Sequence, residues 1–234
     1  MIQVRKSEER GHADHGWLNT YHTFSFADYY DLAHMGFRSL RVINEDRVTP
    51  GQGFGTHGHQ NMEILTYVLR GQIAHRDSMG NQETLGPNEI QRMSAGTGIR
   101  HSEFNPSSSE PLHFFQVWIQ PRAAGTEPSY EQLKFDPAEK QNRLKLLASP
   151  DGEAGAVWIN QDAKVYVAEL SEGSQFTHSL DAKHGAWLHA VRGEVAVNGT
   201  VIRTGDAIAV TDLSVLSITA LSKEPSEILL FDLA

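Results

Sequence analysis

His57-Gly58-His59, set ahead of the apolar run Ile64 to Leu69, and His101-Ser102-Glu103, set behind Gly96-Thr97-Gly98-Ile99-Arg100, are the two stretches whose reading decides the fold. Alternate residues of a strand share a face, so each pair aims two side chains at one point when its backbone is extended. A barrel that brings the pairs face to face across its interior assembles three imidazoles and a carboxylate. The surroundings also read as strands. Apolar residues come in short runs, among them Phe114 to Ile119, Val165 to Leu170 and Ala186 to Val191, each bounded by Gly, Pro, Asn or Asp. That is the pattern of an all-β barrel or sandwich. One helix is expected near the middle of the chain: Asp136 caps it, Pro137 and Glu139 suit its first and third positions, and Ala138 to Leu147 follows with Leu144 and Leu147 on one face.

The 234 residues are 39% hydrophobic and 21% charged, an ordinary globular balance. A formal charge of −9 argues against attraction to nucleic acid or anionic membranes. With no cysteine, disulfides, thiolate zinc sites and cysteine nucleophiles are excluded, so a metal must be held by His and carboxylates. Met1 to Gly16 has no apolar signal region, and no later stretch is long enough to span a bilayer, which leads to the expectation of a cytoplasmic protein.

The Pro and Gly cluster from Pro121 to Pro128 reads as a linker dividing the chain into residues 1–125 and 126–234. The halves resemble each other. Val68-Leu69-Arg70-Gly71-Gln72 has a counterpart in Ala190-Val191-Arg192-Gly193-Glu194, and Asn81 to Met93 parallels Asn198 to Val210, in the same order. Two ordered matches point to duplicated β-domains. The second copy lacks the metal-binding pattern: with Gly193 set on Gly71, Ser179, Asp181 and Gly185 stand where His57, His59 and Glu63 do. His178, His184 and His189 lack the paired spacing, so this half is expected to bind no metal.

A lone H-x-H is more often two surface or capping histidines than a ligand pair, and it is the wider spacing that raises the odds. Gly51, His57, His59, Glu63 and Gly71 follow the first cupin motif, G-x5-H-x-H-x3-E-x6-G, with one extra residue before the last Gly; Gly98, His101 and Asn105 follow the end of the second, G-x2-H-x3-N. The segments Trp17 to Tyr29, Leu40 to Asn44, Gly53 to His59, His75 to Ser78 and Met93 to Glu103 resemble the pirin family. The resemblance implies two tandem cupin (jelly-roll β-barrel) domains. It also implies one divalent transition metal in the first, held by His57, His59, His101 and Glu103. Iron(II) is the expected ion, and the donor types also allow zinc, manganese, nickel, copper or cobalt.

Most cupins take their carboxylate from the first motif, here Glu63, so the two glutamates stand as alternatives; the resemblance favours Glu103. His22 and His75 fall in pirin-like segments and could approach the pocket, while Phe24, Phe26, Phe37, Phe54 and Met62 could wall an apolar cavity or pack the core. Bacterial pirins resemble quercetin 2,3-dioxygenases, which open the central ring of a flavonol and release carbon monoxide. The implied partners are a polyphenol and molecular oxygen, with Glu103 as ligand or catalytic base, in a monomeric chain. The competing implication is a metal-dependent binding or redox-sensing regulatory protein without turnover.

Overall fold

Antiparallel strands make up almost the whole of the computed structural model, which describes all 234 residues, Met1–Ala234. The helical elements are three short 3-10 turns, and none is long and apolar enough to cross a membrane. The chain divides into two units, each built around one large and one four-stranded sheet.

The N-terminal unit comprises Gly11–Phe135 with Val157–Gln161. Its large sheet runs, from edge to edge, Ser129–Lys134, Glu89–Ser94, Glu63–Arg70, Leu112–Ile119, Leu40–Val48, Leu18–His22 and Gly11–Asp14. Its small sheet runs Gly53–His59, Ile99–Phe104, Ile73–Asp77 and Gln82–Leu85. In Ile99–Phe104 the period of two is plain: Ile99, His101 and Glu103 are buried, while Arg100 and Phe104 are exposed. The core at one end of this unit gathers Leu18, Val48, Val68, Ile73, Leu85, Leu112 and Phe114.

The C-terminal unit comprises Met1–Arg10, Asp136–Ala156 and Asp162–Ala234. Its large sheet includes Ile2–Arg5, Ala207–Val210, Gly185–Arg192, Ser226–Leu233, Ala163–Leu170 and Lys145–Ser149 in that order; its small sheet runs Gln175–Ser179, Val215–Ala220, Glu194–Val197 and Thr200–Arg203. Leu188, Ile208, Ile218, Ile228 and Leu230 lie at its centre. The internal repeat is structural, since Glu63–Arg70 and Gly185–Arg192 both turn at a glycine of positive φ, Gly71 and Gly193.

Two boundaries differ from a division at residue 125. Ser129–Lys134 pairs along its whole length with Glu89–Ser94 and extends the N-terminal sheet. Ile2–Arg5 pairs with Ala207–Val210 and covers an edge of the C-terminal sheet. Both placements satisfy strand edges that would otherwise stay open.

The helix expected over Ala138 to Leu147 is a single 3-10 turn, Pro137–Lys140. Its capping box forms: Ala138 N donates to Asp136 Oδ1 at 2.9 Å and Asp136 N to Glu139 Oε1 at 3.0 Å. Continuation fails because Asn142 takes a φ of 54° and the Arg143 guanidinium donates to the carbonyls of Glu139 and Ala138. Lys145–Ser149 then enters the sheet beside Ala163–Leu170, where Leu147 and Ala148 are fully buried. Burial in a sheet outweighs the small helix preference of those residues.

Gly71 (φ 77°) and Gly193 (φ 80°) each face a neighbour that a Cβ would strike, Pro111 O at 2.6 Å and the Ser226 side chain respectively. Gly71→Ala and Gly193→Ala should each cost about 1–3 kcal/mol in chemical denaturation. Gly86→Ala, where the nearest atom is 3.9 Å away, should stay within about 0.5 kcal/mol of wild type.

Candidate metal centre and cavity

His57 and His101 are directly opposite one another in the ladder between Gly53–His59 and Ile99–Phe104. The two pairs therefore lie side by side on one sheet, not across the barrel as the sequence pattern suggested. The register slips between His101 and Glu103, where the first strand carries an extra residue and Glu103 comes to face Phe54. Such a bulge re-aims side chains and frees backbone groups. Here the carbonyl of Gly55 accepts from His57 Nδ1 at 2.8 Å.

All three Nε2 atoms converge: that of His101 lies 3.0 Å from those of both His57 and His59. With the His57 proton on Nδ1, its Nε2 offers only a lone pair, so mutual hydrogen bonding cannot satisfy the cluster. The spacing suits a different occupant, because neighbouring corners of an octahedron with metal–nitrogen bonds of about 2.1 Å are roughly 3.0 Å apart. Burial favours the neutral rings, reinforced by the neighbouring imidazoles: the His101 pKa is held down to about 2 and that of His59 to about 4. Neutral imidazole is the form that binds metal.

Glu103 stands beside the three-imidazole cluster, in a second group whose ligand atoms, from Glu103, His101 and His75, lie within 4.8 Å of one another. It is 3% exposed, and only one of its oxygens has a protein partner: Gln116 Nε2 donates to Oε2 at 3.3 Å while Oε1 is buried and unpaired. Thr66 Oγ1 donates to Gln116 Oε1 at 2.9 Å, which fixes the amide so that its nitrogen faces the carboxylate. Burial, with repulsion from Asp46, pushes the Glu103 carboxyl up to about 7, and burial likewise raises Asp46 to about 7. Three lone-pair nitrogens and a free carboxylate oxygen fit a divalent transition metal. Glu63 is elsewhere, outside both the cluster and the cavity wall, with Ser94 Oγ donating to its Oε1 at 2.6 Å.

A cavity of about 250 Å³ opens onto His57, His59 and Glu103, at the small end of the range for ligand pockets. Leu18, Phe26, Phe54, Phe114 and Trp118 supply apolar walls, and Thr20, His22, Asn44, Asp46 and Gln116 add polar groups interleaved with them, Gln116 lying between Phe114 and Trp118 on one strand. His22 thus reaches the cavity, where its Nδ1 donates to Asn44 Oδ1 at 2.8 Å. His75 does not line it but packs at a tilt against His101, ring centres 5.2 Å apart and planes 53° to each other. Phe24 is buried, Phe37 bridges to Leu40, and Met62 packs against Ile64, Met93, Ala95 and Ile99. Asn44, Asp46 and Gln116 went unnoticed in the sequence: Gln116 interrupts a largely apolar strand, while Asn44 and Asp46 belong to the polar run Asn44 to Arg47, although all three are buried.

In the C-terminal unit the histidines have other partners. His178 Nε2 and His184 Nδ1 meet the two oxygens of Asp232 at 2.8 and 2.7 Å, and His189 is fully buried.

Two double-sheet cupin domains, the first with a three-histidine cluster and a buried glutamate beside it, define a bicupin. The chain belongs to the pirin family: the pirin profile matches residues 3–119, and that of the quercetinase C-terminal cupin domain matches residues 146–233. It is 51% identical to quercetin 2,3-dioxygenase of Escherichia coli K12 over 233 residues, covering 100% of this chain and 99% of that protein. The crystal structure of YhhW from E. coli superposes with a TM-score of 0.96 at 51% identity, covering 100% of this chain and 98% of the other. That of the bacterial pirin YhhW in complex with nickel(II) gives 0.94 at 50% identity, covering 100% and 99%.

Glu103 is protonated up to about pH 7 in the folded metal-free protein but only up to about 4.5 when unfolded. Its contribution to stability is therefore full below pH 4.5 and is lost as pH rises through 7. Metal-free Glu103→Gln should be more stable than wild type at pH 8, by on the order of 1–3 kcal/mol, and should lose that advantage near pH 4.5. Denaturant titrations in the presence of a chelator read this difference directly.

Proposed function

We propose that the protein is a metal-dependent dioxygenase that opens the central ring of a flavonol such as quercetin and releases carbon monoxide. Its one metal ion, iron(II) by preference, would be held by His57, His59, His101 and Glu103. The observation that carries this reading is the convergence of three Nε2 atoms, with an unpaired oxygen of Glu103 beside them, on a mainly apolar cavity lined by His57, His59 and Glu103. A bound metal would supply the activation of oxygen and of the deprotonated flavonol that a spin-paired organic substrate lacks.

The protein's own groups supply the rest. Phe26, Phe54 and Trp118 present rings to a flat aromatic ligand and keep bulk water out. Thr20, Asn44 and Asp46 offer hydrogen-bonding groups to its hydroxyls. Glu103 either stays on the metal or swings away as the base that takes the flavonol hydroxyl proton, a choice its unpaired Oε1 leaves open. Gln116 holds the other oxygen meanwhile. The proposed setting is the cytoplasm, with the chain acting as a monomer on a polyphenol and molecular oxygen.

Elemental analysis should find about one transition-metal equivalent per chain, and His57→Ala or His101→Ala should remove it while leaving a folded protein. Iron-loaded protein given quercetin should consume oxygen and release carbon monoxide; metal binding without turnover would instead favour the sensing role. Glu103→Gln should retain some metal and lose about a hundredfold or more of turnover, whereas Glu63→Gln should be mild. A metal-free Glu63→Gln beside a near-normal Glu103→Gln would reverse the assignment.

A further inference from the structure

His101 touches more than the other two imidazoles. Behind it, on the side away from His57 and His59, its Nδ1 lies 3.4 Å from His75 Nδ1. His75 is 3% exposed, and its Nε2 lies 3.2 Å from Asp77 Oδ2. Asp77 is fixed in turn, because its oxygens accept from Met79 N, Asn81 N and Asn81 Nδ2 at 2.9, 3.0 and 2.7 Å. The ladder places these groups in line: His101 is opposite Asp77, and Glu103 is opposite His75.

The direction of each hydrogen bond follows from the end of the chain. An ionised carboxylate only accepts, so the His75 proton resides on Nε2 and its Nδ1 carries a lone pair. Gln91 Nε2, 3.4 Å from that same Nδ1, is a donor and agrees with this. His101 Nδ1 must then donate to His75, which leaves the lone pair of His101 on Nε2, facing His57 and His59. We infer that His75 and Asp77 form a relay that fixes the tautomer and ring plane of His101, making His75 a positioning residue for the metal site and not one of its ligands. This rests on the metal reading above. An outer partner of a metal-bound histidine raises its basicity and fixes its orientation, and loss of such a partner typically costs 10–100-fold in metal affinity.

Nickel(II) affinity of the full-length metal-free protein, measured by competition with a chelator, tests the relay, and the melting temperature of each metal-free variant checks the fold. His75→Ala should weaken nickel binding by about 10–100-fold. His75→Asn places an amide oxygen near the position of Nδ1, so it should recover part of that loss and also serve if His75→Ala does not fold. Asp77→Asn should weaken binding less than His75→Ala. Nickel affinity within roughly twofold of wild type in His75→Ala would overturn the relay alone. A complete loss that His75→Asn does not relieve would make His75 an independent ligand and also overturn it. Absence of nickel binding by the wild-type protein would sink the metal reading and the relay together.

Discussion

The cross-strand register that sets His57 opposite His101, followed at once by the slip that sets Glu103 opposite Phe54, is the constraint on which the rest of the site depends. A strict ladder would carry the two-residue alternation unchanged past both pairs. The extra residue at Gly55-Thr56 breaks it in the first strand, where the Gly55 carbonyl holds the His57 proton, while the second strand keeps its alternation and turns Glu103 inward to Gln116. One local irregularity thus sets the tautomer of one imidazole. A one-residue shift anywhere in this pair of strands would send both sets of side chains to the other face.

Around that register the protein keeps opposite electrostatic demands apart. The imidazoles must stay neutral, and burial ensures it. Burial also works against the charge on Glu103 and Asp46, so in the metal-free protein two carboxyls sit in low dielectric with no cation beside them. A divalent ion would relieve that conflict. The adjoining cavity holds the same contrast at close range, with hydrogen-bonding groups such as Gln116 set between aromatic ones such as Phe114 and Trp118.

How much of this was legible in the sequence follows from the range of each interaction. His57, His59, His101 and Glu103 stand out because a period of two is a local signal and the cupin spacings around them are specific. Asn44, Asp46 and Gln116 are equally central, but Gln116 looks like an interruption of an apolar strand, and Asn44 and Asp46 like part of the polar run Asn44 to Arg47, until neighbouring strands show that all three face one cavity. The capping box at Asp136 was read correctly as a helical start; what could not be read was the competing partner strand that claims Lys145–Ser149. Side-by-side packing of the two histidine pairs likewise depends on which strands are neighbours, and no local pattern states that.

The pairing of Ile2–Arg5 with Ala207–Val210 has a consequence for how the protein is made. The first strand emerges from the ribosome about 200 residues before its partner. At 5–20 residues per second it waits roughly 10–40 s with its backbone unpaired. Gly11–Phe135, in contrast, supplies nearly all of its own unit and can assemble while synthesis continues. The metal-binding half can therefore mature during translation, whereas closure of the other half is reserved for a nearly finished chain.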